Sequence, residues 1–285
     1  MKLANVCIAC GSERLARLPA VLAPFVAARV FGWEPVTITQ EWGLRDILPG
    51  QAYSLCNSVA CDACEMLFLD MRFDDEEMGK LYGDYRGAEY CSMRERFEPG
   101  YSDRNSKLLL GATHIEIIED FIRRYLPIDR PRILDWGGDS GINTPFRYSA
   151  ACIDVFDISN RPLVSEATAV TRSEIVPSDY DLIVFSQVLE HVSWPVAALQ
   201  ELASVMTDDA LLYVELPHEN IMREAGPIRS KLAAKRLWHE HINFFSEMSL
   251  NAVFRAANLR IVGLSSHEVA TAGAKRHVFS VAARL

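Results

Sequence analysis

A chain of 285 residues, 49% hydrophobic and 24% charged, is long enough to bury one large core or two smaller ones. Its net charge of −9 and the lack of a Lys/Arg-rich block exclude a nucleic-acid-binding face; the densest basic run, KLAAKR at Lys231–Arg236, reads as a solvated helix face. No apolar window approaches the roughly 18 residues of a spanning helix, and the start, MKLANVCIACGSE, lacks the apolar stretch of a signal peptide. With seven cysteines, we expect a protein of the reducing cytoplasm, without membrane insertion and without a nucleic-acid partner.

Six of the seven cysteines precede residue 92. CIAC supplies Cys7 and Cys10, and CDAC supplies Cys61 and Cys64. Two CxxC pairs are a donor set for one tetrahedral Zn²⁺, each pair a tight knuckle offering two thiolates on one side. Four free thiols are the alternative reading. Cys56 stands as a substitute ligand, while Cys91 and Cys152 read as buried thiols. Four thiolates leave no open coordination position, so such a metal is structural. The fifty residues between the pairs must loop out, and the first ninety residues otherwise look irregular. After the second pair come the apolar run CEMLFLDMRF and the Tyr-rich segment EEMGKLYGDYRGAEYCSMRERFEPGYS, in which Tyr82, Tyr85, Tyr90 and Tyr101 sit with Arg86, Arg94 and Arg96.

From about Asn105 the pattern becomes regular. Leu110, Ile115, Ile118, Phe121, Ile122 and Leu126 recur at helical spacing, and Pro127 and Pro131 end that helix. The strand-like runs RILDW, ACIDVFDI, DLIVFS, ALLYVEL, LRIVGLSS and HVFSVAA then alternate with helical stretches, which implies an α/β fold with a parallel sheet. Only HEVATAGAKR separates the last two strands, too short for a helical crossover, so these are expected to be antiparallel neighbours.

In ILDWGGDSG, Asp135 ends the first strand, and Gly137, Gly138 and Gly141 allow a tight turn that approaches a ligand closely. Thr144 and Pro145 read as the N-cap and first residue of a helix aimed at a ligand's negative end. Asp157, near the end of the second strand, suits a ribose diol. Asp139 in the loop would repel a pyrophosphate but not a ligand bearing an ammonium and a sulfonium, which points to S-adenosylmethionine and away from NAD. A turn that binds nothing is the alternative.

Further on, KRLWHEHINFFSEMSLNAVFRAANL places Trp238–Phe245 as a loop entering a helix that Ser246 caps, that Phe245 and Leu250 staple, and that ends near Asn258. Core histidines bonded to backbone, or a metal bound by His239 and His241 with a third ligand, compete with a catalytic reading of this loop.

ILDWGGDSG, VFDIS, YDLIVFSQVLEHV and LLYVELP, in that order, resemble the motifs of class I S-adenosylmethionine-dependent methyltransferases, over about residues 105 to 285. The resemblance implies a Rossmann-like seven-stranded sheet with an antiparallel last strand. It implies that Asp135, Gly137 and Gly138 lie beside the methionine moiety, that Asp157 holds the ribose, and that Gln187 faces the cofactor from the other side. Asp139 stands where that family usually has a second glycine. Glu190 and His191 of LEHV are read as bracing the loop in preference to catalysis. Two CxxC pairs ahead of such a domain are similar to the sugar C-methyltransferases of glycan and antibiotic gene clusters. That likeness makes the Tyr-rich segment a lid with Tyr82 and Tyr85 on the cofactor, an amphipathic surface helix being the alternative. It also maps an acceptor-side Glu-His pair onto Glu240 and His241, with His241 as general base and Glu240 or another carboxylate fixing its tautomer. Those enzymes continue into a further domain where this sequence stops, so O- and C-methylation both stay open.

The expected organisation is therefore a zinc-binding domain with its lid at 1–90 and a methyltransferase domain at 91–285. The expected acceptor is a sugar or a related small polar molecule. The rivals are an NAD-dependent sugar oxidoreductase and a non-catalytic zinc-bearing interaction protein.

Overall fold

The computed structural model describes every residue except 44–48, 113, 160, 178 and 272–273. Its larger sheet has seven strands: β1 (Arg132–Trp136), β2 (Cys152–Phe156), β3 (Thr168–Ala169), β4 (Leu182–Ser186), β5 (Leu211–Pro217), β6 (Arg260–Thr271) and β7 (Ala274–Arg284). Their order is β3-β2-β1-β4-β5-β7-β6, with the first five mutually parallel and β7 antiparallel to both β5 and β6. This is the α/β sheet expected from the alternation of apolar runs. β4 and β5 are buried on both faces, as their unbroken LIVF and LLYVEL runs require of central parallel strands. HEVATAGAKR is not a connection. Its described residues are strand, part of the β6–β7 hairpin that pairs from Arg260 with Arg284 to Thr271 with Ala274 around the undescribed residues 272–273.

Two expected helices differ. The stretch from Leu110 to Leu126 is not one helix: Gly111, at φ +87°, follows a helix ending at Leu108, and the next runs from Ile115 to Arg123. Leu110 is consequently 82% exposed, while Ile118, Phe121 and Ile122 are buried against β1, β2 and β4. No helix starts at Thr144. Residues 142–149 form turns, Phe146 adopts φ +58°, and the Thr144 hydroxyl donates to Asp135 instead of capping. The cavity therefore has no helix N-terminus there.

The first ninety residues are more ordered than their sequence suggests. Leu15–Leu22 pairs antiparallel with Leu55–Cys61, which pairs with Leu67–Leu69. Two short strands from far along the chain complete this sheet: Leu237–Trp238 beside Leu15–Leu22, and Asn243–Phe244 beside Leu67–Leu69. The segment expected as a loop thus has strand at both ends, because Trp238 and Phe244 bury their rings in the core of the smaller sheet with Leu22, Phe25 and Leu67. The helix after it behaves as read. Ser246 and Ser249 exchange hydrogen bonds at the start of Glu247–Ala256, Phe245 and Leu250 are fully buried, and Asn258 takes φ +59° just past the end. Among the described residues, no helix is long and apolar enough to cross a membrane.

Candidate active site

At the carboxyl ends of β1, β4 and β5 a cavity of about 480 Å³ opens, the place where a parallel sheet of this kind receives ligands. The β1 turn forms one wall. Gly137 is at φ +81°, and a Cβ there would stand 2.5 Å from Val188 Cγ2; a Cβ on Gly138 would meet the Asp135 carboxylate at 2.6 Å. Only glycine fits both positions. Asp135 is 4% exposed and lines the cavity, and burial pushes its carboxyl up to about 7 against the Thr144 hydrogen bond. A bound ammonium would return it to the charged form.

Asp139 also lines the cavity, but its charge is not free to repel an anion. It adopts φ +54° and accepts two hydrogen bonds from Arg161 at 3.0 and 2.9 Å. The charge argument against a pyrophosphate is thereby weakened. Asp157 stands at the end of β2 as expected, yet its oxygens accept the backbone N–H of Asp139 at 2.9 Å and of Ser159 at 2.7 Å, and it braces the turn from behind the cavity lining. Each oxygen keeps a lone pair for a further donor. Gln187, at φ +57°, lines the cavity and donates to buried Glu215 at 3.0 Å.

The opposite wall comes from LEHV and WHEHINFF, which lock together. Asn243, 1% exposed, donates to the carbonyls of Leu189 and Val192 and accepts from Arg72, while the Ile242 and Asn243 amides donate to the Glu190 carbonyl. This brings His191 and His241 to a ring separation of 4.8 Å. The bracing role expected for LEHV is visible in these backbone bonds, but Glu190 and His191 also line the cavity.

His241 Nδ1 lies 2.7 Å from Glu219 Oε1, and because a carboxylate only accepts, the neutral ring carries its proton on Nδ1 and its lone pair on Nε2. Burial pulls its pKa down, but the Glu219 hydrogen bond and the charges of Glu190, Glu219 and Glu240 outweigh this and hold it above 6.5. Glu240, expected beside His241, turns its carboxylate the other way, accepting from Tyr90 and from Arg94 at 2.5 Å. Burial opposes its charge, yet the contacts with His239 and Arg94 keep it fully ionised. Glu240 is therefore a clamp between the helix Ala88–Phe97 and this loop, and Glu219 is the carboxylate on His241. His239 also lines the cavity, but its Nε2 is tied to Glu98 and its ring is stacked on Phe25.

The Tyr-rich segment covers the cavity through Tyr85, Arg86 and Tyr101. Tyr82 does not line it; its hydroxyl lies 2.8 Å from His191 Nδ1, one layer back. Lys235 of the basic run also faces the cavity, so KLAAKR is not wholly a solvated face. Glu219 and Arg94 are the functional neighbours that sequence reading missed. The first lies just past β5, a position marked by LPHE; the second sat unassigned in the Tyr/Arg segment.

The four cysteines Cys7, Cys10, Cys61 and Cys64 converge, with their sulfurs within 4.8 Å of one another and Cys7–Cys64 and Cys10–Cys61 at 3.5 and 3.7 Å. Each CxxC closes alike: the Gly11 amide donates to the Cys7 carbonyl, the Glu65 amide to that of Cys61, and both Gly11 and Glu65 have positive φ. A tetrahedral ion with Zn–S of about 2.3 Å needs sulfurs roughly 3.8 Å apart, so the donor set fits. Cys56 lies apart in the core of the smaller sheet, and Cys152 is exposed rather than buried.

Residues 111–264, just over half of the chain, match the family model described as a methyltransferase domain. The chain belongs to this family. It is a class I S-adenosylmethionine-dependent methyltransferase. Among solved structures it is similar to the 1,6-didemethyltoxoflavin-N1-methyltransferase of Burkholderia thailandensis, at 19% identity over 69% of this chain and 88% of that one, with a TM-score of 0.49. A putative methyltransferase of Bacillus halodurans (9%, 59% and 98%, TM-score 0.46) and a methyltransferase of Aquifex aeolicus (17%, 64% and 96%, TM-score 0.44) are also similar. No curated protein sequence matches the chain.

For this methyltransferase, Gly137→Ala is expected to lose about 1–3 kcal/mol of stability, because a side chain is forced to φ +81° against Val188. Thermal denaturation with and without S-adenosylhomocysteine checks this. An unchanged midpoint would mean that the turn relaxes freely.

Proposed function

We propose that the enzyme methylates a sugar or a related small polar acceptor, with His241 as the base. The observation that carries this reading is the single cavity joining the β1 glycine turn to the His241–Glu219 pair. When bound, S-adenosylmethionine supplies an electrophilic methyl group on a sulfonium. Asp135, Gly137 and Gly138 would hold its methionine end, Asp157 its ribose, and Gln187 and Tyr85 its remaining faces, with Tyr82 behind. His241 Nε2 would take the proton of an acceptor hydroxyl, or one beside a ketone if carbon is methylated. Glu219 fixes the tautomer that makes this possible, and Glu240 holds the loop. Such a base is typically worth roughly 10²–10⁴-fold.

In this reading residues 1–90 form a zinc-bearing unit with its lid and residues 91–285 the catalytic unit. The strands at 237–238 and 243–244 fasten one to the other. Cys7, Cys10, Cys61 and Cys64 would hold one structural Zn²⁺. We place the enzyme in the cytoplasm, in carbohydrate biosynthesis.

Methyl-labelled S-adenosylmethionine offered with a panel of hydroxyl and keto sugars tests this. Label is expected in a sugar, and label in none of them but in peptide or nucleic acid would overturn the acceptor class. Asp157→Ala is expected to weaken S-adenosylhomocysteine binding by about 1.5–3 kcal/mol by calorimetry. Tight NAD binding with none for S-adenosylhomocysteine would reverse the cofactor assignment.

A further inference from the structure

Glu190 is the one carboxylate of the cavity, among the described residues, that the fold buries and leaves bare. It is 1% exposed, and neither side-chain oxygen has a hydrogen-bond partner. His191 Nε2 stands 3.6 Å away, beyond hydrogen-bond distance. One oxygen of Glu190 and one nitrogen each of His191 and His241 lie within 4.8 Å of one another. In both imidazoles Nδ1 is engaged, which leaves Nε2 as the nitrogen open to a ligand. His191 Nδ1 lies 2.9 Å from the Glu240 carbonyl and 2.8 Å from the Tyr82 hydroxyl, and His241 Nδ1 lies 2.7 Å from Glu219. Metal-ligating histidines are oriented in this way, with the far nitrogen donating to a carbonyl or a carboxylate and the near one presenting its lone pair.

We propose that Glu190, His191 and His241 form a second cation site, on the acceptor side of the cavity, for a divalent ion that favours imidazole, Zn²⁺ foremost. Two neutral nitrogens and one carboxylate suit such an ion and not Mg²⁺ or Ca²⁺, which prefer oxygen alone. Unlike the four-cysteine cluster, three protein ligands leave a position open to the cavity. The consequence rests on the reading of His241 as base. An ion there occupies the Nε2 lone pair that would otherwise take the acceptor's proton, so its binding opposes methyl transfer.

The test is calorimetric titration of Zn²⁺ into the full chain as purified, with metal content measured first. Wild type is expected to bind one further equivalent per chain, and Glu190→Gln and His191→Asn each to weaken it at least tenfold without changing the metal already present. No further equivalent, or one unchanged in both variants, would overturn the site. A turnover arm uses any sugar found to accept label above. Turnover at least tenfold lower as the ion binds is expected. Turnover that rises would overturn the opposing role and the base assignment while leaving the site, because the binding arm needs no turnover.

Discussion

His241→Asn is expected to lower turnover on the acceptor by about two orders of magnitude or more, while S-adenosylhomocysteine affinity stays nearly unchanged. Asparagine keeps much of the shape and can still bond Glu219, but it cannot accept a full proton. The loop around it is held by the buried Asn243 bonds and the Arg94–Glu240 pair, so the substitution leaves the backbone in place. His239→Asn is expected to do much less, since His239 bonds Glu98. The pH profile supplies a second readout. A base must be neutral to work, and His241 is held above 6.5, so activity should rise with pH through a midpoint above that value. Glu219→Gln removes the hydrogen bond that most strongly raises it, and should move the midpoint to lower pH. Near-normal turnover in His241→Asn, with loss in His191→Asn, would move the base to LEHV.

Cys61→Ser is expected to abolish zinc binding and with it much of the folding of the smaller sheet. The four sulfurs tie the chain start to residues 61–64, and structural zinc binding is itself folding free energy. Cys61 is fully buried at the end of the strand Leu55–Cys61, and Cys7 and Cys64 share a core with Phe245 and Leu250 beside the WHEHINFF segment. Losing the ion should therefore lower the thermal midpoint and disturb the acceptor side as well. Elemental analysis giving about one zinc per chain in wild type and none in the variant is the expected result. No metal in freshly reduced wild type would sink the zinc assignment.

Sequence showed most where periodicity or motif spacing is local. The strand runs, the antiparallel end of the sheet, the stapled helix after Ser246 and the two CxxC pairs were legible because each is written within a few residues. What was hidden depends on residues far apart. Nothing local tells that Trp238 and Asn243 complete a sheet begun at Leu15, or that Arg94 reaches Glu240 across 146 positions. Glu219 became the partner of His241 only once β5 and the WHEHINFF segment stood side by side. Thr144 misled because a capping residue next to proline also suits a hydroxyl turned onto a buried carboxylate. Asp139 misled because its partner, Arg161, lies beyond the next strand.

The most direct measurement is a crystal structure of the enzyme with S-adenosylhomocysteine. The ligand is expected in the cavity at the β1 turn, its amino group at Asp135, its ribose at Asp157, and its sulfur facing the space in front of His241. A ligand bound elsewhere, or a sulfur turned away from His241, would contradict the assignment of this cavity as the site of methyl transfer.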